Sequence, residues 1–118
     1  MTSHLLFING EYRDCASGKR IAQTNPATEE IFGKVAGAGT SELGVAVHGA
    51  HDAFTREWRD LIPRKRTDIL FNVARGIRSR AEELAQLECR NIGKPIGDAR
   101  DEIELGARGD KIIGLTSN

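Results

Sequence analysis

Glu30-Ile31-Phe32-Gly33-Lys34-Val35-Ala36-Gly37-Ala38-Gly39-Thr40-Ser41-Glu42-Leu43 is the stretch in which the hydrophobic period of this chain changes. Up to Ala38 it reads as a strand around Ile31, Phe32 and Val35, with Gly33 and Gly37 as weak points or bulges. From Thr40 onward it reads as a helix, because Leu43, Val47, Ala50, Phe54, Trp58 and Leu61 recur at intervals of four or three and form one apolar stripe. Thr40 or Ser41 is placed to cap the orphan amides of its first turn. Gly44 and Gly49 each cost such a helix about 1 kcal/mol relative to Ala, so packing rather than propensity must hold it.

Toward the amino terminus the pattern is one of short strands. Leu5-Leu6-Phe7-Ile8 is an apolar run, Asn9-Gly10 is a strong two-residue hairpin signal, and Glu11-Tyr12-Arg13 returns beside it. A turn follows at Ser17-Gly18-Lys19, then a weak alternation from Ile21 to Thr24, which Asn25-Pro26-Ala27-Thr28 breaks. A lone hairpin is marginal in water, so this β region must lean on something else.

Toward the carboxyl terminus the helical period persists. Pro63 ends the first helix or opens the next. The second run carries Ile69, Leu70, Val73, Ala74 and Ile77 on one side, with Arg64, Lys65, Arg66, Arg75, Arg78 and Arg80 on the other. Ser79 and Glu82 have the spacing of a capping box, which predicts a new or kinked helix presenting Ala81, Leu84, Ala85 and Leu87 or Glu88. That helix stops at Gly93, a left-handed cap, with Pro95 two positions beyond. A polar segment from Asp98, with Ile103 and Leu105, loses order near Gly106, Gly109 and Gly114. The fold class is α/β: residues 1–40 strands and turns, 41–105 helices, 106–118 a tail without a clear pattern.

The chain has 118 residues, with seventeen basic and seventeen acidic side chains. That length suits one domain. The balance argues against a nucleic-acid or membrane-surface partner, which need a positive excess. No run approaches the roughly 20 apolar residues of a membrane span. Met1–Ile8 lacks the basic region of a signal peptide. Cys15 and Cys89 lie too far apart for a zinc spacing and read as free thiols of a reducing, cytoplasmic compartment.

None of the candidate sites completes a chemical constellation. His48 and His51 share a helix face, but no carboxylate or thiol joins them as a third ligand, and Asp52 faces elsewhere. Gly37-Ala38-Gly39 starts like a phosphate loop but completes neither nucleotide fingerprint; Glu57 or Asp60, the acids at the required distance, fall inside a helix. The Arg-rich stretch from Arg64 to Arg80 is flanked by acids and lacks interleaved aromatics, so it reads as a solvated face or subunit contact. Asp98 with Asp101 or Glu102 lacks an EF-hand pattern, and Arg108-Gly109-Asp110 carries no chemistry. Neither Cys15 nor Cys89 has an activating base beside it. No catalytic, cofactor-binding or metal-binding residue is assigned.

Set end to end, the pieces carry a resemblance. Phe7-Ile8-Asn9-Gly10-Glu11-Tyr12, then Thr24-Asn25-Pro26-Ala27-Thr28-Glu29-Glu30-Ile31, then Val35-Ala36 resemble the amino-terminal region of the NAD(P)-dependent aldehyde dehydrogenase superfamily. The match continues through Ala50-His51-Asp52-Ala53-Phe54 with Trp58, Pro63-Arg64-Lys65-Arg66 leading into Leu70, and Glu83-Leu84-Ala85-Gln86-Leu87-Glu88. It ends with Gly93-Lys94-Pro95 and Asp101-Glu102-Ile103, and the shared order covers residues 5 to 108. The betaine-aldehyde or a similar small-aldehyde branch is one the resemblance admits. In that family these strands and helices pack onto the coenzyme-binding domain. The NAD(P)-contacting loops, the catalytic cysteine, the general-base glutamate and the oxyanion-hole asparagine come later in a much longer chain. Lys94 belongs to a structural turn and is not a catalytic lysine. One departure stands out: family members carry an aromatic-rich stretch before an Asp-Lys-Ile segment, whereas Gly106-Ala107-Arg108-Gly109 runs straight into Asp110-Lys111-Ile112-Ile113-Gly114.

The resemblance implies a truncated, amino-terminal part of an enzyme that oxidises an aldehyde to a carboxylate. It is expected to be inactive alone, to bind no cofactor itself although the parent uses NAD or NADP, and to pair with the remainder of the parent or a full-length relative. The other reading is a non-enzymatic helical module docking onto a full-length relative.

Overall fold

The structure is a computed structural model and describes residues 2–108. The expectations for the tail at Gly109, Asp110–Ile113 and Gly114 lie outside the described residues. The chain divides into two compact units, meeting in sequence after Asp60.

In the first unit, β1 (Thr2–His4), β5 (Ile31–Ala36) and β4 (Arg20–Thr24) form a three-stranded sheet in the order β1-β5-β4. The central strand β5 runs parallel to β1, with Thr2 opposite Gly33 and His4 opposite Val35, and antiparallel to β4, with Arg20 opposite Ala36. β1 is absent from the sequence reading, because three polar residues give no apolar signal and their partner is distant in sequence. A separate hairpin pairs β2 (Leu6–Ile8) with β3 (Glu11–Arg13). Asn9 and Gly10 turn it with φ of 56° and 80°, the double positive φ that a type I′ turn demands. Across the hairpin, the Phe7 and Tyr12 rings sit 5.0 Å apart at 55°.

The irregularity expected near Gly33 lies beside it: Gln23 is opposite Gly33 and Thr24 opposite Ile31, so Phe32 is the extra residue on β5. Gly33 is buried in the central strand, where a Cβ would come 2.7 Å from Gln23 Oε1 and 3.3 Å from the Thr2 carbonyl. It is a site of close strand approach next to the bulge.

α1 (Thr40–Ala53) follows and passes into one π-helical turn, Phe54–Trp58, closed by the Arg59 N–H donating to the Phe54 carbonyl at 2.8 Å. The apolar stripe of α1 stands open: Leu43, Val47 and Phe54 are 61%, 59% and 51% exposed. Small residues face the hairpin instead, and Ala46, Gly49, Ala50 and Ala53 share a hollow with Phe7, Ile8 and Asn9. Gly49 is what lets the hairpin in, since the Asn9 Oδ1 lies 1.8 Å from where a Cβ would stand. Gly44 meets nothing within 4 Å.

The second unit holds α2 (Pro63–Ser79), α3 (Ala81–Ile92) and α4 (Ile96–Ala107). Pro63 occupies the first turn of α2, where its missing N–H costs nothing. α4 packs against both other helices, and the fully buried positions are alanines: Ala74, Ala85, Ala99 and Ala107. Small side chains allow close helix approach, but they bury little apolar area. Among the described residues no large side chain is fully buried, and Ile62, Ile69, Phe71, Val73, Leu87, Ile92 and Leu105 are all exposed.

The break at residue 80 occurs, but not by a capping box. Ser79 ends α2 and its hydroxyl donates to the Gly76 carbonyl at 2.8 Å, while Arg80 takes the cap position without a side-chain capping bond. Glu82 is engaged elsewhere, accepting both guanidinium N–H groups of Arg100 at 2.9 Å. Gly93 closes α3 in the left-handed region, φ 77°, its N–H donating to the Cys89 carbonyl at 2.8 Å.

Candidate functional site

The place where chemistry would be sought first is the β5–α1 connection, Gly37-Ala38-Gly39, since a strand, a glycine turn and a helix N-terminus together make an anion cradle. Two of its donors are already used. The Gly37 N–H donates to the Lys19 carbonyl at 2.9 Å, and the Gly39 N–H donates to Glu42 Oε2 at 2.7 Å. Gly39, not Thr40 or Ser41, is the N-cap. It has no side chain to offer, so Glu42 supplies the returning half of a capping box. The other oxygen, Oε1, accepts the Ala16 N–H at 2.9 Å and so ties the Cys15–Gly18 turn to the start of α1.

Those two main-chain donors, Ala16 first and Gly39 second, hold the Glu42 carboxyl at about 2. A fixed negative charge therefore already occupies the Gly39 amide that an anion at this turn would use. The residues present at this turn do not fit NAD or NADP.

Beside this latch, Asp14 receives Arg20 through two bonds of 2.7 and 2.6 Å, a fork geometry that also lowers the Asp14 carboxyl below its ordinary value. Arg13, Asp14, Ala16, Ser41, Glu42 and Val45 line an open hollow of about 270 Å³. The Cys15 thiol behind it is 5% exposed and donates to the Lys19 carbonyl at 3.2 Å, with Arg20 Nη1 at 3.7 Å. A buried thiol spent on a carbonyl is a packing group, not a presented nucleophile.

In the second unit, Lys94 lies between Glu88, at 3.4 Å, and Glu102. The Glu102 carboxylate first, with Glu88, raises the Lys94 ammonium above its ordinary value. A lysine held between these carboxylates pins the Gly93-Lys94-Pro95 corner to α4. Arg100 first, and Gln86 second, hold the Glu82 carboxyl at about 2. Of the basic face, Arg78 bonds Glu104 at 3.4 Å, Arg80 bonds Glu83, and Arg75 donates to Asn72. The structure thus spends much of that face on its own helices.

His48 and His51 are exposed, and among the described residues no three His, Cys, Asp or Glu side chains are grouped to hold a metal. Cys89 is half-buried and free. Asp98 and Asp101 are exposed, while Glu102 is committed to Lys94. No helix among the described residues is long and apolar enough to cross a membrane. The Glu42 latch escaped the sequence reading, although the spacing of Gly39 and Glu42 is that of a capping box; the glycine hid it.

Known proteins share this arrangement. The profile described as the aldehyde dehydrogenase family matches residues 12–112. An aminoaldehyde dehydrogenase of Arabidopsis thaliana, named as chloroplastic, is 37% identical over 103 residues, covering 84% of this chain and 21% of that protein. The crystal structure of an NAD-dependent aldehyde dehydrogenase from Sinorhizobium meliloti superposes with a TM-score of 0.85 at 34% identity, over 89% of this chain and 21% of that one. A glyceraldehyde-3-phosphate dehydrogenase from Bacillus halodurans, in complex with NADP, gives 0.85 at 27% identity, over 89% and 22%. The chain therefore spans about a fifth of the length of the relatives it matches, and its α/β fold is that of their amino-terminal part.

Proposed function

This chain belongs to the aldehyde dehydrogenase family, and on that premise we propose that it is a structural, amino-terminal segment of an NAD(P)-dependent enzyme oxidising an aldehyde to a carboxylate, without catalytic activity of its own. The observation that carries this reading is the exposure of its large apolar side chains. Leu43, Val47 and Phe54 on α1, and Ile62, Ile69 and Val73 on and beside α2, lie open, while the buried positions hold alanine and cysteine. Apolar surface of that kind is stabilised by being covered.

The chemistry supports the same reading. Aldehyde oxidation through a covalent intermediate needs an activated thiol, a base and preorganised oxyanion donors in one place. Here Cys15 is buried, the Gly39 amide is capped, and Lys94 is neutralised by two carboxylates. Family members bind NAD or NADP; this segment's role is to brace that apparatus, not to supply it. Its partner is the remaining polypeptide of such an enzyme, in the same chain or in a full-length relative, and its compartment is the cytoplasm.

The test is a turnover assay of the purified chain with short aldehydes, betaine aldehyde among them, and NAD⁺ or NADP⁺. No NAD(P)H should form. Sustained, enzyme-concentration-dependent NAD(P)H formation would overturn the proposal.

A further inference from the structure

We propose that Asn9 is a site of non-enzymatic modification, at which the hairpin tip loses ammonia and becomes aspartate or isoaspartate. Asparagine is among the thermolabile side chains, and its reactivity is set by the nitrogen that follows it. That nitrogen belongs to Gly10, which has no side chain to obstruct its approach and meets nothing within 4 Å of its Cβ position. Both residues are exposed at the tip of a two-residue turn. No hydrogen bond among the described residues holds the Asn9 carboxamide, so no donor or acceptor must be displaced for it to react.

In the first step the Gly10 main-chain nitrogen attacks Asn9 Cγ. A C–N bond forms, closing a succinimide; the Cγ–Nδ2 bond breaks, and the amide nitrogen leaves as ammonia with the proton that Gly10 gave up. Solvent water then opens the ring, its hydroxyl adding to one imide carbon and its proton to the ring nitrogen. Opening at Cγ yields aspartate. Opening at the main-chain carbonyl yields isoaspartate, which carries an extra methylene into the main chain of a turn built for two residues. Nothing is oxidised or reduced.

The consequence is local. The neutral carboxamide lies against Gly49 of α1, where its Oδ1 fills the space a Cβ would take. Either product places a carboxylate there, and isoaspartate also breaks the pairing of Ile8 with Glu11 across the turn. The hairpin then loses its seat on the helix.

The chain contains its own references. Asn25 precedes Pro26, which has no N–H to give up, and Asn72 and Asn91 precede the branched Val73 and Ile92. The purified chain is aged in mildly alkaline buffer, sampled over time and cut with trypsin, which releases residues 1–13 as one peptide. The expected result is an aspartate–isoaspartate doublet in that peptide, with ammonia released in proportion, while the peptides holding Asn72 and Asn91 stay unmodified. Asn9 surviving intact in the folded chain while a urea-unfolded sample is modified there would overturn the proposal. So would equal rates at Asn9, Asn72 and Asn91.

Discussion

Glu42 accepts from Ala16 and from Gly39, and its carboxyl is held at about 2, as is that of Glu82 under Arg100. Both groups bind a proton less readily when folded than when unfolded. Their stabilisation is therefore complete above the ordinary carboxylate range and is lost as pH falls through that range toward about 2. Circular dichroism during an acid titration should show helix lost over that interval. Glu42→Gln, which keeps the shape but cannot titrate, should flatten the part that belongs to the first unit. A profile unchanged by Glu42→Gln would remove the latch from the account. The glycines of α1 offer a second contrast at the same scale. Gly44→Ala meets open space and should raise the unfolding free energy by about 1 kcal/mol. Gly49→Ala gains the same propensity but must evict the Asn9 amide, so chemical denaturation should show a smaller gain or a loss.

At the scale of elements, the sequence reading succeeded where one residue type has one physical use. Asn9-Gly10 announced a hairpin because two consecutive positive φ angles are nearly confined to such pairs. Pro63 opened α2 and Gly93 closed α3 for equally local reasons. It failed where the deciding partner is distant or substitutes for the expected one. β1 exists because β5 offers it a parallel edge, and the cap of α1 is a carboxylate one turn on. The ion pairs of the candidate site, such as Arg100–Glu82, were not legible, since they depend on tertiary geometry. Two substitutions probe the helices. Gly93→Ala forces a Cβ into the left-handed region and should cost about 1–2 kcal/mol in thermal unfolding. Ala99→Leu thrusts a large side chain into a seam of buried alanines and should cost roughly 1–3 kcal/mol.

For the whole molecule the decisive quantity is which side of each helix is covered. α1 turns alanine and glycine to the hairpin and leaves Leu43, Val47 and Phe54 open. α2, α3 and α4 meet through alanines and leave their larger side chains outside. The chain matches about a fifth of its relatives' length, and the proposed role requires such faces to be covered by the rest of a family enzyme. The most direct measurement compares Leu43→Asp with Val47→Asp in two settings. One is the purified 118-residue chain; the other is a chimera in which residues 2–108 replace the matching segment of an active aldehyde dehydrogenase. In the chain alone these exposed positions should shift unfolding by no more than about 0.5 kcal/mol. In the chimera, which should oxidise its aldehyde before substitution, the pair should abolish NAD(P)H formation. A chimera that keeps its full rate with both aspartates in place would contradict the account.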